Sequence, residues 1–128
     1  MSGHFNGWIG VDLDGTLAVY EKWQGPDKIG EPIPKMVDRV RGWLQDGRAV
    51  RIVTARVWAP VDDASRQRDA ATATIAIQDW CLAHIGVILP VTCSKDYGMI
   101  EMWDDRSVQV IPNTGERADS VSASVAAD

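Results

Sequence analysis

The chain is poor in the residues that usually announce a cofactor, a staple or an anchor. It has two cysteines, Cys81 and Cys93, and two histidines, His4 and His84, in 128 residues. The cysteines form no C-x-x-C pair and stand near no histidine cluster, so neither a zinc site nor a disulfide framework is expected. Two reduced thiols in a cytoplasmic protein are the reading this usage favours. No apolar run approaches the roughly 18 residues that a membrane span needs. The first seven residues lack the basic stretch and following apolar run of a secretory signal. Positive charge is short as well. Thirteen Lys and Arg against 18 Asp and Glu leave a formal net charge of −5, which weighs against broad attraction to nucleic acid. A local basic patch remains compatible with that balance. Phenylalanine occurs once against six tryptophans, and most of these are expected in the core or at its rim. There is no internal repeat, and nothing indicates an oligomer.

What is present is ordinary for a folded domain. Hydrophobic residues make up 45% and charged residues 24%, and the length suits one domain with a real core. Residues 1–112 are expected to form it. Residues 113–128, rich in Ser, Ala, Asp and Gly, read as a flexible tail. Trp8-Ile9-Gly10-Val11-Asp12 reads as a buried strand ending in an acidic turn. Residues 18–33 carry Gly25-Pro26, Gly30 and Pro32, the composition of a loop or short hairpin. Pro34 suits the first position of a helix, since its missing N–H does no harm there. Val37, Val40, Arg41 and Leu44 continue that helix, and Gly47 ends it.

Ala49 to Val53 is the second strand, and Thr54-Ala55-Arg56 is its exit. Asp62 or Asp63 is placed to cap a long helix reaching about His84. Its apolar stripe is Ala70, Ala73, Ile77, Trp80/Cys81 and His84. His84 reads as a packed or capping residue, and His4 receives no role. Val87 to Val91, broken by Pro90, predicts a short strand. Met99 to Trp103 predicts another, ending at Asp104-Asp105. Val108 to Ile111 alternates as an edge strand would.

Strands alternating with helices imply an α/β domain with a mostly parallel, Rossmann-like sheet in three layers. Ligands bind beyond the carboxyl ends of such strands. Asp12-Leu13-Asp14, Thr54-Ala55-Arg56 and Asp104-Asp105 are therefore expected along one edge.

Asp-x-Asp-Gly-Thr-Leu after a strand, Thr54 after a second, Lys95, and Asp104-Asp105 after a third resemble the haloacid dehalogenase superfamily. The four motifs stand in the family's order over residues 11–105. The chain looks like its small, capless members from bacteria and phages. The short gap between Lys95 and Asp104 is similar to that of nucleotidase-like members. The resemblance implies a Mg²⁺-dependent phosphatase working through an aspartyl-phosphate. Asp12 would be the nucleophile, and Asp14 would protonate the leaving group and then activate water. Asp12, the Asp14 carbonyl and an acid of the Asp104-Asp105 pair would hold Mg²⁺, a cation that prefers oxygen ligands. Asp105 would be the direct ligand, with Asp104 behind it orienting Lys95. Thr54 and Lys95 would bind phosphate. Arg56 would add a bidentate contact, as the Arg of a Ser/Thr-x-Arg triplet does in some polynucleotide phosphatases.

The substrate expected is a phosphorylated small molecule, a nucleotide or a nucleic-acid end. Two alternatives stand beside the phosphatase. One is a phosphotransferase with another acceptor than water. The other is a phosphate- or nucleotide-binding regulatory module with little turnover. Residues 18–33 have room for a small flap but not a folded cap. Tyr20, Trp23 and Trp58 leave the same strand ends; packing is their plainer reading and stacking on a substrate ring the sharper one. Arg106 reads as an ordinary ion-pair partner.

Overall fold

The computed structural model describes residues 7–119. His4 and residues 120–128 of the expected tail lie outside that range. The chain runs β1 (Trp8–Asp12), α1 (Pro34–Gln45), β2 (Ala49–Val53), α2 (Ala64–His84), β3 (Val91–Thr92) and β4 (Met99–Trp103). A single 3₁₀ turn (Ala55–Val57) follows β2. The sheet order is β3-β2-β1-β4 and every pairing is parallel. This is the α/β, Rossmann-like class expected from the sequence. No described helix is long and apolar enough to cross a membrane.

β1 is central, and its first four residues are all buried. A strand covered on both sides needs such a continuous run. β2 alternates buried Val50 and Ile52 with more accessible neighbours. Ile9, Val11, Val50 and Ile52 share one core with Met36, Val37 and Val40 of α1 and with Ala73, Ile77, Trp80 and Cys81 of α2. Asp63 caps α2, its carboxylate accepting from the Arg66 amide at 2.9 Å. Arg41 of α1 closes the other end, donating to the His84 and Ile85 carbonyls at 2.9 and 3.3 Å.

The helical cover differs from the three layers expected. Successive right-handed crossovers in one direction put their helices on one side. The shared core and the Arg41 bonds place α1 and α2 there together. The opposite face carries Trp8 and Arg51, with the β3–β4 connection laid against them. Asp96 accepts from Trp8 Nε1 at 2.7 Å and from Arg51 Nη1 at 3.2 Å.

Two further expectations change. Residues 87–90 form no strand, and only Val91–Thr92 pair with β2. Val108 to Ile111 do not join the sheet. Val110 bridges Arg117 instead, and Ile111 and Ala118 amides donate to Glu116 and Gln109. Residues 113–119 are exposed and take part in this local turn.

Core packing gives a direct test. Ile77 is 0% exposed and Ile75, on the same helix, is 62% exposed. Ile77→Ala is expected to lose about 2–5 kcal/mol of unfolding free energy. Ile75→Ala should stay within about 0.5 kcal/mol. Chemical denaturation of both variants checks the assignment.

Candidate active site

The exit of β1 turns at once. The Leu17 and Ala18 amides both donate to the Leu13 carbonyl, at 3.0 and 2.9 Å, and the Gly15 amide donates to the Ala18 carbonyl at 2.8 Å. Gly15 sits at φ 90°, where a side chain is strained. A Cβ there would also collide with the Asp105 carboxylate. The glycine therefore lets the β4 exit close on the β1 exit.

That approach gathers three acids. Asp12, Asp104 and Asp105 each offer a carboxylate oxygen, and these lie within 4.8 Å of one another. Asp12 and Asp104 are half-buried and Asp105 is exposed. Thr16 Oγ1 donates to Asp12 Oδ2 at 3.3 Å. Burial first, then the charge of Asp104, then the hydrogen bond and charge of Asp105, push the Asp12 carboxyl up to about 7 from an ordinary 3.8; the Thr16 bond opposes them. Crowded carboxylate oxygens with no soft donor among them fit a hard dication such as Mg²⁺. Both members of the Asp104-Asp105 pair stand in this cluster. Asp104 Oδ1 also accepts from the Arg106 amide at 2.7 Å.

Asp14 turns its carboxylate away from the three. Both of its oxygens accept from Arg56, Nε to Oδ2 at 2.8 Å and Nη2 to Oδ1 at 2.9 Å. Arg56 is only 7% exposed. Its Nη1 donates to the Gly25 and Pro26 carbonyls at 3.2 and 3.1 Å. Its guanidinium also stands 4.8 Å from the centre of the Trp23 ring. The fork expected to grip phosphate is thus turned to Asp14 and to the tip of the 18–33 segment. Thr54 is buried, and its Oγ1 accepts from the Arg56 amide at 3.2 Å. Its backbone amide donates to the Thr92 carbonyl at 2.8 Å.

These residues face one cavity of about 650 Å³. Asp12, Asp14, Thr54, Arg56, Asp104 and Asp105 all line it, as the sequence suggests. Lys95 does not; Cys93 lines it from the same connection, and Lys95 is exposed. The reason is the route of the chain. The Gly98 carbonyl accepts from the Trp8 amide at 2.8 Å, so residues 93–98 descend from the site to the far end of β1. The cavity wall instead holds two cations whose place there the sequence did not reveal, Arg66 and Arg106. Arg66 lies in the first turn of α2 and donates to the Trp58 carbonyl at 2.6 Å. The one available signal was that a helix after β2 starts at the ligand edge.

The crowding has a consequence for stability. A carboxyl raised to about 7 in the folded chain, against 3.8 unfolded, disfavours the folded state as pH climbs from about 4 through 7,. Asp12→Asn removes that penalty. Without divalent cation, Asp12→Asn should melt at least about 3 °C above the parent at pH 8 and within about 1 °C of it at pH 4. Thermal melts at both values check this.

No family model matches the chain, and no curated protein matches it. A solved structure of a conserved protein from Bacteroides thetaiotaomicron is similar to it, at 22% identity and a TM-score of 0.50, over 84% of this chain and 82% of that one. The likeness supports the α/β fold just described.

Proposed function

We propose that the chain is a magnesium-dependent phosphohydrolase of the haloacid dehalogenase type, with Asp12 as nucleophile. One observation carries the reading. Asp12, Asp104 and Asp105 cluster at the strand ends of a cavity that Asp14, Thr54 and Arg56 also line. The substrate class is a phosphorylated small molecule or a nucleic-acid end.

A phosphate dianion repels a carboxylate, so its charge has to be neutralised before attack. Mg²⁺ held by Asp12, Asp104 and Asp105, with the Asp14 carbonyl, would supply part of that charge and keep Asp12 ionised. The Thr54 hydroxyl donates to a phosphate oxygen. Arg56, Arg66 and Arg106 are the cations on the wall, and the reading assigns them the work that the resemblance gives to Lys95. Asp12 forms a bond to phosphorus as the bond to the leaving oxygen breaks. Asp14 gives that oxygen a proton. Water then attacks the aspartyl-phosphate, returns a proton to Asp14, and releases phosphate and free Asp12. Asp14 has to leave Arg56 and take up a proton from solvent before it can give one, and the incoming dianion is the natural competitor for the guanidinium.

Phosphate release from an aryl phosphate should require Mg²⁺ and stop with a chelator. Asp12→Asn should lower it at least about a thousandfold, and turnover equal to the parent sinks the reading. Arg56→Lys keeps the charge and loses the planar fork, so kcat should fall about tenfold or more. One observation favours a second reading: Arg56 occupies both Asp14 oxygens, as a phosphate-binding regulatory module with little turnover would tolerate. Tight nucleotide binding without hydrolysis of any phosphate in a broad panel would select it.

A further inference from the structure

The six tryptophans divide into two groups. Trp8, Trp80 and Trp103 donate their indole N–H to Asp96, the Gly30 carbonyl and Glu101 at 2.7, 3.0 and 3.1 Å. Trp43 packs against Trp103 with ring centres 5.2 Å apart. These four are partnered within the fold. Trp23 and Trp58 are 50% and 55% exposed, and both line the site cavity. Among the described residues their indole N–H groups have no hydrogen-bond partner. Tyr20, 39% exposed, lines the same cavity.

Single exposed apolar residues are normal on a protein surface. Three large rings on one concave wall are a different matter, because an indole usually finds both cover and an acceptor. The rings come from two segments that flank the nucleophile. Tyr20 and Trp23 lie between β1 and α1, and Trp58 follows the turn after β2. Arg56 covers one face of Trp23 at 4.8 Å, which fixes that ring relative to Asp14. A volume of about 650 Å³ falls within the range of small-ligand sites,. The net charge of −5 disfavours a long polyanion,.

We infer that the aromatic wall is a ring-binding subsite, so that the substrate is a phosphate monoester of mononucleotide size whose organic part is a flat ring system stacked on Trp58 and Trp23. The inference rests on the phosphohydrolase reading and names its substrate class. The phosphate reaches Asp12 while the ring lies between the flap and the turn after β2. Arg66 and Arg106 stand on the same wall for polar groups of the ligand.

The test compares a nucleoside 5′-monophosphate with glycerol phosphate, using the full chain with Mg²⁺. The nucleotide should be preferred at least tenfold in kcat/KM. Trp58→Ala should lower that preference roughly five- to hundredfold, mainly through KM, the range that loss of one stacked ring predicts. Trp58→Phe should restore most of it. Circular dichroism melts confirm folding, and Tyr20→Leu serves if Trp58→Ala does not fold. In a second arm, Asp12→Asn protein is titrated with the same nucleotide while tryptophan fluorescence is followed. Saturable quenching is expected, and adding Trp58→Ala should weaken it. Equal kcat/KM for both phosphates overturns the subsite, as does a preference that folded Trp58→Ala leaves unmoved. Hydrolysis of 5′-phosphorylated oligonucleotides with no binding of mononucleotides also overturns it. Quenching without release from any phosphate supports the subsite and sinks the hydrolase reading instead.

Discussion

Parallel pairing around β1 is the constraint on which the site depends. A parallel neighbour ends at the same edge as the strand it pairs with. β1 has two, in register from Trp8 to Asp12 with β2, and with β4 from Ile9 opposite Glu101 to Val11 opposite Trp103 after a one-residue shift at Trp8. Asp12, Thr54 and Asp104-Asp105 therefore emerge side by side although they are far apart in sequence. The arrangement concentrates negative charge. Asp12 cannot leave the edge without breaking the central strand, and Gly15 removes the side chain that would hold Asp105 off. Burial first, and then the neighbouring Asp104 and Asp105 carboxylates, raise the Asp12 carboxyl there. On the proposed function, a bound dication would offset the cost of that crowding.

Arg56 is the counterweight. Its guanidinium has five donors, and four of its hydrogen bonds are accounted for, two to Asp14 and two to the Gly25 and Pro26 carbonyls. Burial at 7% exposure makes these contacts consequential, because an unpaired guanidinium there would be costly. The residue therefore does more than carry charge. It fixes the Asp14 carboxylate and holds the tip of the 18–33 segment down on the sheet edge. Any phosphate that draws Arg56 away loosens both at once. The orientation of the Asp14 carboxylate and the position of the flap are thereby one variable rather than two.

Most elements were legible because their signals are local. Trp8 to Val11 is a continuous buried run closed by Asp12, Pro34 and Gly47 punctuate α1, and Asp63 caps α2. The acidic edge was legible too, since parallel strands admit few arrangements of their exits. The features that differ depend on long-range geometry. Periodicity marks a helix's apolar stripe but not the side of the sheet it covers, so α1 and α2 could not be assigned to one layer. Alternation at Val108 to Ile111 is strand-like, yet it says nothing of the partner, and the local turn with Glu116 and Arg117 supplied one. Lys95 sits at a plausible distance from Asp104, but spacing does not reveal that the connection runs back to Trp8. Arg56 was placed at the right edge. Its engagement by Asp14 and two flap carbonyls rests on atoms roughly thirty to forty positions away.

On the proposed function, the small flap bears on how a site without a folded cap would choose a substrate. Its base is a short antiparallel ladder: Val19 and Ile33 amides donate to the Glu31 and Leu17 carbonyls, each at 2.8 Å. Trp80 anchors it from α2 through the Gly30 carbonyl, and a Cβ at Gly30 would collide with the Val19 carbonyl. Base and tip are therefore both tied, the tip by Arg56. A tied segment holds Tyr20 and Trp23 on the wall of the cavity that Asp12 also lines, which a free loop of the same composition would not. Preorganised rings lose little conformational entropy when a ligand stacks on them. A folded cap selects by closing over its substrate. On the proposed function, the wall would stand in place before the ligand arrives, and selection would fall to the shape and flatness of what fits beside Asp12.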